Sequence, residues 1–313
     1  MTVESLLRNY FDEIVEEIEG GSFGSKYRCR RGKNMYFVKS RGIEEGWMTW
    51  GLRKEYNLCN ALDLGGMQPT AYMIIEDEGF LAVVFDYVDS QKTSKIYEDK
   101  KYYQTFLKQV TEFLSKVQRI DWNDNPTLQS LCNESHLVDG QLISCREYMF
   151  NDRLEGGVFF SNEDYDNYKH ILERARNFAR SKYRPERECL VHGDLQNSQN
   201  LLCNENGLDV VVDWEISGFF DYLYDIAAVE SKFIDRPADY WNNMNASNVR
   251  ESFRNEFNVD EVEGKIIDAY KIWNHYLELE VYNAHNFDLT GSRTQETEVW
   301  FIKNRLDELQ SSI

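Results

Sequence analysis

Leu190-Val191-His192-Gly193-Asp194-Leu195, Asn200-Leu201-Leu202 and Val210-Val211-Val212-Asp213-Trp214-Glu215 follow one another in one short stretch of a 313-residue chain. Each apolar run reads as a buried strand. Each also borders a polar group, so the segment runs strand, loop, strand, turn, strand and carboxylate. Asp194 and Asp213 are nineteen residues apart, a spacing that a short hairpin closes. Hard divalent cations take carboxylate and amide oxygens, and Mg2+ uses only one or two carboxylates alongside substrate phosphates. Asp194, Asn200 and Asp213 supply that inventory.

Outward from this stretch the hydrophobic pattern divides the chain. Leu6, Leu7, Tyr10, Phe11, Ile14 and Ile18 form one stripe, which predicts a helix over roughly the first 20 residues. A Gly/Ser turn follows, then strands at Lys26–Arg30 and Met35–Ser40 around the Arg31-Gly32-Lys33-Asn34 turn. Residues 44–62 read as a helix, and Tyr72–Ile75 and Phe80–Tyr87 as a second strand pair. From Tyr97 the signal is mostly helical, with amphipathic helices through Tyr103–Val117 and 163–183. Short strands return at Cys189–Val191, Leu201–Cys203 and Val210–Val212, and helices are expected from there to Leu309. A strand-rich first quarter and a helix-rich remainder imply two unequal lobes, residues 1–88 and 89–313, with the cleft between them as the default ligand site.

Composition sets the frame. Lys and Arg total 35 against 54 Asp and Glu, a formal net charge of −19. That balance disfavours a nucleic-acid footprint, which needs clustered positive charge, and suits a cationic partner or simple solubility. No apolar run approaches the ~20 residues that a bilayer requires. The first twenty residues lack the basic start and continuous apolar stretch of a secretory signal. Six cysteines without C-x-x-C spacing read as buried free thiols of a reducing compartment, so the expected location is the cytoplasm.

The ordered set resembles the aminoglycoside phosphotransferase and choline kinase superfamily, whose fold is protein-kinase-like. His192-Gly193-Asp194-Leu195 looks like that family's catalytic loop and Asp213-Trp214-Glu215 like its metal-binding turn; Gly218, Asp221 and Asp225-Ile226-Ala227 resemble its downstream segment. The resemblance implies an α+β fold with a small N-terminal antiparallel-sheet lobe and a larger, mainly helical C-terminal lobe. It also implies Asp194 as catalytic base and Mg2+ on Asp213 and an amide. The family's Asn falls five residues after the catalytic Asp, where this chain has Gln199. Asn200 suits the role best, ahead of Gln199 and Asn197.

Further expectations come with the resemblance. Gly21, Ser22, Phe23, Gly24 and Ser25 lie in a glycine-rich turn whose N–H groups would cover nucleotide phosphates. Lys39 would meet the α- and β-phosphates and Glu55 would pair with it, Glu44 and Glu45 being fallback partners. Backbone groups of Asp86 and Val88 would bind the base of ATP or GTP, with Phe85 bordering it. His192 and Asp225 are expected to hold the catalytic loop, and Trp214 to anchor packing. The short interval from Asp213 to Asp225 leaves little room for a peptide-binding segment, so the acceptor is a small molecule. Acids and aromatics of the C-terminal region, among them Trp273, Glu278, Glu280 and Asp288, suit a cationic acceptor. The expected activity is phosphoryl transfer to an aminoglycoside-type antibiotic, a choline or other small-metabolite kinase being the alternative, with a catalytically silent nucleotide-binding module behind both. Oligomeric state is left open.

Overall fold

The computed structural model describes residues 2–18, 24–43, 47–77, 79–90, 96, 99–122, 125–138, 141–150, 162–235, 245–284, 303–309 and 311. In chain order these form α1 (Val3–Leu7), β1 (Glu13–Glu17), β2 (Ser25–Arg31), β3 (Asn34–Gly42), α2 (Trp47–Ala61), β4 (Ala71–Asp77) and β5 (Phe80–Asp86). Then come α3 (Lys100–Gln118), α4 (Pro126–Cys132), β6 (His136–Val138), β7 (Gln141–Ile143), α5 (Cys145–Phe150), α6 (Asn162–Lys182), β8 (Glu188–Val191), β9 (Leu201–Asn204) and β10 (Gly207–Val211). β11 (Gly218–Asp221), α7 (Leu223–Val229), a π-helical turn at Glu230–Asp235, α8 (Ala246–Glu256) and α9 (Glu261–Ala284) follow. No helix among the described residues is long and apolar enough to cross a membrane.

Two compact units divide the chain: Met1–Ser144 with Gln199–Gly218, and Cys145–Ser198 with Phe219–Ile313. This grouping differs from a division at residue 88. Within the first unit α3 packs on β10 and α2 on α4, which draws chain beyond residue 88 into it.

The first unit is built on a five-stranded antiparallel sheet in the order β1-β2-β3-β5-β4. Alternation along the strands puts Tyr27, Cys29, Val38, Ala82, Val84 and Ile75 in one cluster, covered by Leu6, Leu7 and Phe11 from α1 and its exit. Lys39, one residue on from Val38, therefore faces the other way. The β9–β10 hairpin pairs Val211 with Leu201, and the next pair is closed by Val212 N–H donating to the Asn200 carbonyl at 2.9 Å. In the second unit α6 and α7 pack on α9, and Phe150, Tyr183, Phe220, Tyr224 and Tyr270 form a continuous aromatic cluster.

Most expected elements are present, with two departures. The N-terminal helix stops at Leu7, and Ile14 lies in strand β1. Ile14 and Val15 are β-branched and favour a pleated surface. Across β1–β2, Arg30 pairs with Glu13 and Arg28 with Glu16, so the acids that mimic a polar helix face are cross-strand partners. The regions expected to be helical also contain the β6–β7 hairpin and β11, runs of three to four residues too short to show a period. All six cysteines are free and buried.

Candidate active site

In the first unit, β3 presents Lys39 to three carboxylates. Its Nζ donates to Glu55 Oε2 at 2.7 Å, Asp213 Oδ1 at 2.9 Å and Glu215 Oε1 at 3.0 Å. Arg41, two residues along the same strand face, donates from Nη2 to both Glu215 oxygens at 2.7 and 2.8 Å. Lys26 stands opposite Lys39 in the β2–β3 register. Glu55 is thus the partner of Lys39, as the resemblance implies; Glu44 and Glu45 lie outside the described residues.

Glu55 also orders the turn that carries Asp213. Its Oε1 accepts the backbone N–H groups of Asp213 at 2.9 Å and Trp214 at 3.3 Å. Asp213 has φ of 70°, a left-handed conformation that Asp tolerates better than most residues but adopts only when held. Trp214 does the holding from the other side. It is fully buried, donates from Nε1 to the Val211 carbonyl at 2.9 Å and meets Phe113 edge-on.

Crowding three carboxylates around one ammonium shifts the ionisation of Lys39 and of Glu55. Burial would pull Lys39 down, but Asp213, Glu215 and Glu55 overcome it and hold its pKa well above the ordinary value. Glu55 is pushed up to about 7, chiefly by burial, with Lys39 opposing and the other two acids reinforcing. Lys26 is lowered, by burial first and Lys39 second. Oxygens of Glu55, Asp213 and Glu215 lie within 4.8 Å of one another; they are hard donors of the kind Mg2+ takes, gathered here around the Lys39 ammonium. The Asp213 side chain is 36% exposed against 2% for Glu55 and 8% for Glu215, so Asp213 is the carboxylate that a ligand from solvent meets. Asn200 is buried beside it on the hairpin, whereas Gln199 is exposed.

Asp194 belongs to the second unit. The Asp225 carboxylate accepts the N–H groups of His192 at 2.7 Å and Gly193 at 3.1 Å, and Asp194 N–H donates to His192 Nδ1 at 3.3 Å. His192 is completely buried, and Gly193 has φ of 87°, a conformation open to glycine. Burial raises Asp225 to about 6 against the pull of those two N–H groups. His192 and Asp225 thus fix the backbone of the loop that presents Asp194.

Residues 14–257 match the model of the phosphotransferase enzyme family. The chain belongs to that family. No curated protein matches its sequence, but many solved structures match its fold. An aminoglycoside phosphotransferase crystallised with ADP and hygromycin B is 14% identical, covers 100% of this chain and 99% of its own, and superposes with a TM-score of 0.67. A choline/ethanolamine kinase family protein from Mesorhizobium loti is 14% identical over 97% of this chain and 90% of its own, with a TM-score of 0.60. A spectinomycin phosphotransferase in complex with ADP and spectinomycin is 13% identical over 99% and 97%, with a TM-score of 0.58. The fold of this phosphotransferase is therefore the protein-kinase-like one, with its antiparallel sheet and its helical part.

The remaining expected residues of the phosphotransferase are placed as follows. Gly21, Ser22, Phe23 and Asp288 lie outside the described residues, as does the side chain of Glu280. Gly24 and Ser25 lead into β2. Phe85 is buried on β5, and Asp86 exchanges hydrogen bonds with Thr70, its N–H donating at 3.0 Å and its Oδ1 accepting at 2.8 Å. Glu278 pairs with Lys232 at 3.4 Å. Trp273 borders a cavity of about 10 Å³, room for no more than a water, with Arg176 over its ring at 5.4 Å.

Arg41 and Lys54 are the residues that sequence reasoning passed over, and Glu215 was read only as part of the Asp213-Trp214-Glu215 turn. Lys54 is buried, donates to the carbonyls of Ser217 and, at 2.8 Å, Glu134, and lies 5.0 Å from the Trp50 ring centre. Arg41 had a detectable signal: it follows Lys39 by two on a strand, hence on the same face.

Proposed function

We propose that this phosphotransferase moves the γ-phosphoryl group of ATP or GTP to a hydroxyl of a small, amine-bearing acceptor of the aminoglycoside type. The observation that carries the reading is the Lys39 ammonium shared between Glu55 and Asp213. In phosphoryl transfer a lysine so held neutralises nucleotide phosphates while a neighbouring carboxylate holds metal. The ADP in two of the matching structures supports a nucleotide donor.

Asp213 and Asn200 would hold Mg2+, which when bound neutralises phosphate charge. Lys39 exchanges its bond with Asp213 for nucleotide oxygens while Glu55 keeps it in place. The glycine-rich turn ending at Gly24 and Ser25 covers the phosphates, and the Asp86 carbonyl and Val88 N–H take the base, with Phe85 beneath them. Asp194 accepts the acceptor's proton as the acceptor oxygen bonds to the γ-phosphorus, and the bond to the bridging oxygen breaks to release the nucleoside diphosphate.

For the acceptor, the aminoglycoside and spectinomycin complexes support a multi-amine sugar. One observation favours a smaller acceptor such as choline: Glu278, an acid expected to attract ammonium groups, is already engaged with Lys232. The deciding experiment is nucleotide turnover by purified protein with Mg2+ across aminoglycosides, macrolides, choline and simple sugars, with Asp194→Ala as control. Aminoglycoside stimulation that vanishes in the variant supports the proposal. Stimulation by choline alone moves the assignment to an amino-alcohol kinase, and nucleotide binding without turnover on any acceptor points to a silent module.

A further inference from the structure

Arg41 is 6% exposed, and its guanidinium uses only part of its donor capacity. Nη2 chelates Glu215, while Nη1 is buried and has no hydrogen-bond partner among the described residues. A buried guanidinium donor left unmatched is costly, and native proteins seldom keep one without a use. Its position suggests that use. Arg41 and Lys39 share Glu215 and hence one face of β3. The stem of Arg41 also lies directly against the end of the glycine-rich turn: a methyl group built on Gly24 would fall 2.9 Å from Arg41 Cγ and 2.4 Å from the Ser40 carbonyl oxygen. Gly24 has φ of 72°, so backbone conformation and close approach both require glycine there.

We infer that Arg41 is a second phosphate-binding cation of the nucleotide site, donating from Nη1 to a phosphate oxygen while Nη2 stays on Glu215. The inference rests on the nucleotide reading of the Lys39 cluster. Charge supports it. Lys26, Lys39 and Arg41 balance Glu55, Asp213 and Glu215 within one cluster, so an entering polyphosphate adds anions for which the cluster holds no surplus cation, and the unmatched Arg41 Nη1 can meet them. A guanidinium fork can hold a carboxylate and a phosphate at once, which an ammonium does less well. Glu215 then serves to hold the fork in place.

Calorimetric titration of the full chain with ADP and with adenosine, and with GDP and guanosine as the alternative pair, tests this. Arg41→Gln is expected to weaken diphosphate binding by about tenfold or more, to leave nucleoside binding within about twofold, and to be partly rescued in Arg41→Lys. Because Arg41→Gln removes one of the two cations bonded to the buried Glu215 and can destabilise the fold, the same comparison is made in a Glu215→Gln background. There Arg41→Gln leaves no buried carboxylate short of a cation, and the same tenfold loss for the diphosphate is expected. Wild-type affinity in either Arg41→Gln protein overturns the inference, as does an equal loss for nucleoside and diphosphate. Recovery of diphosphate affinity in the double variant does so too, since Arg41 would then act only through Glu215. A wild-type protein that binds neither diphosphate sinks the nucleotide reading itself, a result visible before any variant is compared.

Discussion

Glu55 accepts the backbone N–H of Asp213 at 2.9 Å, so the helix carboxylate that holds Lys39 also fixes the turn presenting Asp213. One side chain thereby sets both the proposed phosphate-binding cation and the proposed metal-binding anion. Removing its charge should disturb both while leaving Lys39 two carboxylate partners. Glu55→Gln is expected to lower kcat/KM by roughly 10- to 100-fold, the scale of a lost charge-assisted hydrogen bond, with the fold retained. Steady-state kinetics alongside a melting curve checks this; unchanged kcat/KM would show that Asp213 and Lys39 position themselves.

Asp194 sits on a loop whose backbone is pinned by Asp225 and His192, so replacing its side chain should leave the loop in place. Asp194→Asn is expected to cost about 10² to 10⁴ in kcat if the carboxylate takes the acceptor proton. Nucleotide affinity should stay within about threefold, because the proposed nucleotide groups lie elsewhere in the chain. A parallel loss of nucleotide binding would assign Asp194 to the donor instead.

Asp225 makes the loop sensitive to pH. Burial lifts its pKa from 3.8 to about 6. The folded state therefore binds a proton that the unfolded chain releases between those values, and the sign follows from linkage. The group's contribution to stability is fully present below the unfolded value and is lost as pH rises through about 6. Activity runs the other way, because a protonated carboxyl accepts the His192 and Gly193 N–H groups poorly. The expected outcome is a kcat/KM profile that falls on the acid side with an apparent pKa near 6. The melting-temperature difference between wild type and Asp225→Asn should shift in favour of wild type as pH drops from about 7 to about 5. A difference that does not change with pH would remove Asp225 from both effects.

These relationships were unevenly readable from residues alone. Asp194, Asn200 and Asp213 stood out because each terminates or borders a short apolar run, a placement with few uses other than presenting a polar group. Lys39 and Glu55 were found through family pattern, since a lysine in a strand and a glutamate in a helix are individually common. Arg41 and Lys54 were missed because long basic side chains usually reach solvent. Their burial depends on carboxyl and carbonyl groups contributed from 80 or more residues away along the chain. The first strand was misread because Glu13 and Glu16 pair across strands with Arg30 and Arg28, and pairing partners leave no mark on local periodicity.

Gly51 offers a sharper test of how rigidly Glu215 is held. It lies inside α2, where replacing glycine by alanine ordinarily stabilises by up to ~1 kcal/mol. Here a Cβ would stand 3.2 Å from Glu215 Oε2, tighter than ordinary van der Waals contact, and 3.4 Å from Glu215 Cβ, at the near edge of such contact. Whether the substitution helps or harms depends on whether Glu215 can retreat. Arg41 grips both its oxygens and Lys39 one of them, so retreat would stretch charged hydrogen bonds in a buried site. Overpacking of this kind costs about 1–3 kcal/mol, which outweighs the helical gain. Gly51→Ala is expected to lower stability by about 1 kcal/mol, whereas Gly51→Ala with Glu215→Ala should recover most of that loss relative to Glu215→Ala alone. Urea unfolding of the four proteins measures it, and a single variant more stable than wild type would mean that the Arg41–Glu215 pair is free to move.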